Sequence, residues 1–275
     1  MPPILLHLVA AALYVGLAVL SWRSRWRGPA LDRPPSGLTA WERGGLLVAL
    51  LAHGLALVYE IFPGTAMHFS FSIALSMILW LAIAFYWIES FYARMEGLQM
   101  LGLPVAAVAV LLPSIFPGQH LLANADSLQF RAHFLIAMLA YSLFTLAALH
   151  AMLMAVAEKS LHRGRLTPLL ASLPPLLTME TLLFRLIHVA FALLTLTLAS
   201  GILFSESLFG KALTFNHKTV FAILSWFIFA HLLAGRHFRG WRGRKALRWT
   251  LAGFVALLLA YVGSRFVLEV ILGRA

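Results

Sequence analysis

The chain has 275 residues, 61% of them hydrophobic and 11% charged, with a mean hydropathy of +0.89. That leaves too little polar surface to cover a soluble domain of this size and implies a polytopic membrane protein. The formal charge of +11 lies in short loops between apolar spans, which fits positive-inside topology rather than nucleic-acid binding. Cysteine is absent, which excludes disulfides, thiolate metal sites, iron–sulfur clusters and covalent attachment of a c-type haem.

Residues 2–22 form a first apolar span with no basic stretch before it and Arg23, Arg25 and Arg27 after it. That order predicts an uncleaved span with its N-terminus outside. The Pro/Gly-rich basic linker 23–40 is then an inner loop, and Trp41 marks the interface of a second span reaching Val58. A third span covers 68–88, ending in Trp87, Phe91 and Tyr92 with Arg94 and Glu96 beyond. A fourth covers 100–116 between proline-containing turns, and the outer loop 117–129 that follows has no Lys or Arg. The fifth span, 130–156, is long enough to tilt or protrude, and Lys159, Arg163 and Arg165 follow it inside. Residues 166–181 are apolar but carry Pro168, Pro174 and Pro175, so they read as a connecting or interfacial segment. The sixth and seventh spans, 182–204 and 214–234, flank an outer loop with Glu206 and Lys211. The most basic stretch has six Lys or Arg between Arg236 and Arg248, and an eighth span, 249–271, returns the C-terminus outside.

The expected fold is therefore all-α, a single integral-membrane bundle over 1–275 with eight transmembrane helices and both termini outside. Fourteen basic residues fall in the four inner loops and one, Lys211, in the outer loops, which sets the orientation.

Ionisable side chains in lipid are costly and mark function by default, so the histidines carry the chemistry. His133 lies three or four residues into the fifth span from outside, and His217 about as far into the seventh. At about 1.5 Å per residue the two are level, on different helices, near the outer face. Ligand pairs projecting from facing helices are how bundles hold cofactors. His53, two-thirds of the way across the second span, and His188, about two turns into the sixth from inside, match less closely in depth. His150 and His231, near the inner ends of their spans, make an equally tidy pair, and any of these rings could instead serve only as a hydrogen-bonding link between helices. Arg185 precedes His188 by one turn, where it could meet an anionic group or pair with Glu180. Arg265 shares a face with Tyr261 near the outer end of the eighth span. Glu60 falls a heptad outward from His53, where a proton or cation path is an alternative use. There is no Walker or Rossmann glycine pattern, no H-E-x-x-H and no G-x-S-x-G.

The stretches AHFLIAMLAYSLF around His133, PPLLTMETLLFRLIHVAFALLTLTLASGILF around His188, FNHKTVFAILSW around His217, GWRGRKALRW and AYVGSRFV together resemble the cytochrome c assembly protein family. Within it the likeness is to the short inner-membrane branch of the YpjD or CorE type, related to the haem-handling CcsA, CcmC and HemX proteins. The resemblance implies a bacterial inner-membrane protein that binds haem b non-covalently and acts in haem transfer for cytochrome c biogenesis, a carrier rather than an enzyme. It implies that His53 and His188 form a membrane pair and His133 and His217 an external pair of axial ligands. Arg185 and Arg265 would then stand near haem propionates, and other maturation or ion-transport membrane proteins would be partners. The family's Trp-rich external loop is absent here, the eight tryptophans being scattered. The resemblance also admits an accessory role in divalent-cation efflux, or a HemX-like regulation of haem synthesis through the basic inner loop.

Overall fold

A computed structural model describes residues 3–26, 37–64, 67–117, 127–163, 173–205 and 217–273. They form eight helices: α1 (Pro3–Trp26), α2 (Ala40–Ile61), α3 (Phe71–Glu89), α4 (Gln99–Ile115), α5 (Leu128–His162), α6 (Leu176–Leu203), α7 (His217–Arg239) and α8 (Gly243–Ile271). Seven are long and apolar enough to cross a membrane. The exception, α4, has 17 residues, about 26 Å of helix against a hydrocarbon core of about 30 Å. A 3₁₀ turn over Glu96–Leu98 runs directly into it and lengthens the rod on the inner side. The loop residues Arg27, Arg33, His120, Asp126, Arg165, Glu206, Lys211 and Arg274 lie outside the described residues.

Helix starts follow local chemistry. Thr39 and Glu42 close a reciprocal capping box at α2, and Ser70 and Ser127 accept from Ile73 and Phe130 backbone N–H groups at α3 and α5. The expected sixth span begins six residues too late. Pro174 and Pro175 do not interrupt a segment reaching 181; they stand just before α6, where the N–H that proline lacks is not needed. Likewise Arg244, Lys245 and Arg248 lie in the first turns of α8 rather than in a loop. The connection from α7 is only Gly240–Arg242, turned by Gly240 and Gly243 at positive φ.

The long α5 is the hub. Buried over two-thirds of its apolar stretch, it packs against α3, α6 and α8. Its buried Ala137, Ala140, Ala147, Ala148 and Ala151 let neighbouring backbones come close, as in other membrane bundles. On one side α1 packs on α2 and α4, with α3 against both; on the other α6 meets α7, and α7 meets α8. Much of α6 and α7 faces outward, toward lipid.

The α7–α8 seam is close-fitted. Phe144 of α5 stacks on Phe229 of α7 with centroids 3.9 Å apart, and Ser225 donates to the Gly253 carbonyl at 3.0 Å. A Cβ at Gly253 would lie 2.8 Å from the Phe229 ring. Gly253→Leu is expected to destabilise the detergent-solubilised protein by about 1–3 kcal/mol through overpacking, read as a lowered midpoint of thermal unfolding. The topology is open to labelling, since the natural chain has no cysteine. A single Arg239→Cys should react with membrane-impermeant maleimide only in inside-out vesicles, and labelling in right-side-out vesicles would reverse the orientation.

Candidate functional site

The outer ends of α5, α7 and α8 carry three of the six expected residues, His133, His217 and Arg265. His133 is half-buried on α5, with Nδ1 2.8 Å from the Ser200 hydroxyl oxygen of α6. Ser200 Oγ also lies 3.1 Å from the Thr197 carbonyl oxygen. With its proton on the Thr197 carbonyl, the Ser200 hydroxyl accepts from His133 Nδ1–H; with its proton turned to the ring, it donates to Nδ1. The first arrangement is the one by which metal-binding histidines are prepared, a partner fixing the tautomer and the ring plane. His217 is exposed as the first residue of α7.

A continuous run of contacts joins the neighbours of these two histidines. Phe134 sits edge-on to Phe69 at 4.9 Å, and Phe69 meets Tyr261 at 6.1 Å. Arg265, one turn beyond Tyr261, pairs with Glu269 at 3.7 Å, and Lys218, the residue after His217, lies within electrostatic reach of both. Glu269 also accepts from the Phe71 backbone N–H at 3.1 Å, tying the end of α8 to the start of α3. Two turns of wider π-helix, Leu259–Gly263 and Val267–Ile271, carry Tyr261 and Glu269. Two cations against one carboxylate leave this outer corner positive, walled by aromatic rings.

The expected membrane pair is arranged differently. His53 is fully buried in a wedge of α1, α2 and α3, with Nδ1 3.2 Å from the Tyr14 hydroxyl and Nε2 2.9 Å from Ser76 Oγ. His188 is exposed on α6, and its Nδ1–H donates to the Phe184 carbonyl at 2.6 Å, so Nε2 carries the lone pair outward. The contacts of the two rings are on separate elements, and the structure does not bring them together.

Arg185 lies one turn inward of His188, exposed in a cavity of about 480 Å³ that Arg94, Tyr92, Thr178 and Thr181 also line. It does not take the alternative partner Glu180. That carboxylate accepts from Arg236 at 2.5 Å and Arg242 at 3.1 Å, and pins the basic α7–α8 turn to α6. His231 packs edge-on between Trp241 and Trp249, and His150 pairs with Glu89, so these two histidines do not meet as a ligand pair. Glu60 contacts His7 at 3.1 Å. Sequence reasoning missed Ser200, Lys218 and Glu269. For Ser200 no signal was available, whereas Glu269, a carboxylate inside an apolar span, was a visible flag.

Among the described residues no group of three or more His, Cys, Asp or Glu side chains converges as a bare-metal site. The fold and its apolar helices define a multi-pass helical membrane protein. The family model described as cytochrome C assembly protein matches residues 46–272, and the chain belongs to that family.

Its relatives include the inner membrane protein YpjD of Escherichia coli (strain K12), 31% identical over 166 residues, or 60% of this chain and 62% of the relative. An uncharacterized 28.8 kDa protein of Azospirillum brasilense is 32% identical over 173 residues, 62% of this chain and 63% of that protein. The cytochrome c biogenesis protein CcsA of Gloeobacter violaceus is 32% identical over 92 residues, 34% of this chain and 27% of CcsA. The chain thus matches less than two-thirds of the length of its YpjD relative. No solved structure matches it.

Proposed function

We propose that this chain is a haem-b-binding protein of the bacterial inner membrane that takes up and hands on haem for cytochrome c assembly, without converting a substrate as an enzyme does. Family membership, the biogenesis role in the name of the CcsA relatives and the membrane in the name of the YpjD relative support this reading. The observation that carries it is the placement of His133 of α5 against Ser200 of α6, at the same end of the bundle as Tyr261 and Arg265 of α8, in a chain of the cytochrome c assembly family.

In this reading His133 and His217 are the outer axial ligands, and bound haem supplies an iron centre whose affinity and potential the ligands and their hydrogen-bond partners set. The Phe69, Phe134 and Tyr261 rings exclude water from the apolar faces. Arg265, with Lys218 beside it, answers the negative charge of a propionate. His188 and His53 are the proposed second pair, with Arg185 and Arg94 as cations at the inner end of the face that His188 shares. Ligation by His53 Nε2 would exchange its Ser76 partner for iron. Other cytochrome c maturation proteins of the membrane are the expected partners in transfer.

Oxidised and reduced absorption spectra of the detergent-purified protein, with pyridine haemochrome quantitation, test this. A low-spin b-type spectrum is expected, lost in His133→Ala/His217→Ala and measured separately in His53→Ala/His188→Ala. A haem-free protein from haem-replete cells would sink the proposal and leave the accessory role in divalent-cation efflux, or regulation of haem synthesis, as the reading to pursue. If Ser200 orients His133, Ser200→Ala should weaken haem affinity by about 10- to 100-fold with the helix content unchanged. An unaltered affinity in a haem titration would remove Ser200 from that role.

A further inference from the structure

Helix α3 ends at Glu89, and α5 passes beside it with His150; their side chains are 3% and 0% exposed. His150 Nδ1 lies 2.9 Å from the Leu146 carbonyl oxygen, one turn back on its own helix. A carbonyl oxygen only accepts, so Nδ1 carries a proton and donates it. Nε2 then faces Glu89 Oε1 at 3.1 Å. A neutral imidazole already protonated at Nδ1 presents a lone pair at Nε2, and an ionised carboxylate presents only lone pairs as well. Two lone pairs held at hydrogen-bond distance repel. The contact therefore needs one more proton between them, present either as imidazolium with carboxylate or as neutral imidazole with carboxylic acid, the two forms of one coupled pair.

Two further observations point the same way. The other carboxyl oxygen of Glu89, Oε2, is buried and has no hydrogen-bond partner. A bare, unneutralised carboxylate is costly in that position, whereas a carboxyl group sharing a proton is far less so. The surroundings also supply little charge that would substitute for the proton. From the turn after α3, Tyr92 is close enough to feel the Glu89 charge, with Arg185 of α6 beyond it. From α2, Arg43 is committed to the Ser90 carbonyl at 2.8 Å and Glu42 to the Thr39 cap. Helix α4 has no ionisable residue, and Arg244, Lys245 and Arg248 of α8 are exposed. Tyr92, three residues after Glu89, is 69% exposed at the same end of the bundle. Near the outer end of α1, His7 repeats the arrangement, with Nδ1 2.6 Å from the Val110 carbonyl and Nε2 3.1 Å from Glu60.

We propose that Glu89 and His150 form a proton-binding site at the inner end of the bundle, in which the two side chains hold one exchangeable proton in common. It is separate from the histidines assigned to haem and does not depend on that reading.

The test is nitrogen-15 NMR of histidine-labelled protein at neutral pH, paired with infrared difference spectra of the carboxyl region. His150→Gln and Glu89→Gln assign the two signals. The site is supported if His150 is doubly protonated beside a carboxylate, or neutral beside a Glu89 carboxylic acid. It is also expected that Glu89→Gln, whose amide donates to Nε2 without a titratable proton, leaves a neutral His150 and removes the carboxyl signal. A neutral His150 beside an ionised Glu89 in the wild type would overturn the proposal, as would spectra that Glu89→Gln leaves unchanged. Should Glu89→Gln fail to fold, Glu89→Asp serves for assignment, and the wild-type protonation states still decide the outcome.

Discussion

An imidazole in hydrocarbon must have both of its nitrogens satisfied, because no water is there to do it. That constraint sorts the histidines of this bundle by what their second nitrogen is left to do. In His53 both nitrogens meet hydroxyls, and in His7 and His150 one meets a carbonyl and the other a carboxylate. In His188 the Nδ1 proton is taken by the Phe184 carbonyl and Nε2 carries the lone pair, and in His133 Nδ1 meets the Ser200 hydroxyl. His7 and His150 serve the interior of the bundle, and so does His53 in the contacts it makes here.

The same sorting divides the bundle in space. The rings engaged on both sides belong to α1, α2 and α5, where packing closes around them, and the rings of His133 and His188 face α6 or project from it. Helix α5 belongs to both halves. Its inner half holds His150 against α3, and its outer half turns His133 toward α6. With α5 buried along most of its length, the two kinds of chemistry sit on one immobile rod while α6 and α7 face lipid.

Length and hydropathy made all eight helices legible, with errors where charge or proline was taken to end a helix. At α6 the Pro174–Pro175 step is a start signal, and at α8 the basic residues snorkel from helical turns. Depth needs only a count of residues; in the structure His133 is the sixth residue of α5 and His217 the first of α7. Rotation was not legible. Each residue turns a helix by about 100°, and nothing in a lipid-embedded sequence reveals which face meets a neighbour when apolar residues surround the whole rod. For that reason depth alone could not separate His53, wedged between α1 and α3, from His188, exposed on α6. The serine and carboxylate partners were hidden for the same reason: Ser200 and Glu89 acquire meaning only once their helices are docked.

Helix α6 links the two places where haem is proposed to bind. It carries His188 itself and, twelve residues further out, the Ser200 that meets His133 Nδ1. Twelve residues advance about 18 Å along the axis and about 120° around it. One straight helix can thus show His188 to the lipid side while holding Ser200 against α5, as the burial of the two residues requires. The helix thus carries His188 and the Ser200 contact of His133 about 18 Å apart along its axis. The intervening face of α6, apolar from Val189 through Leu196 apart from Thr195, offers an apolar surface between them.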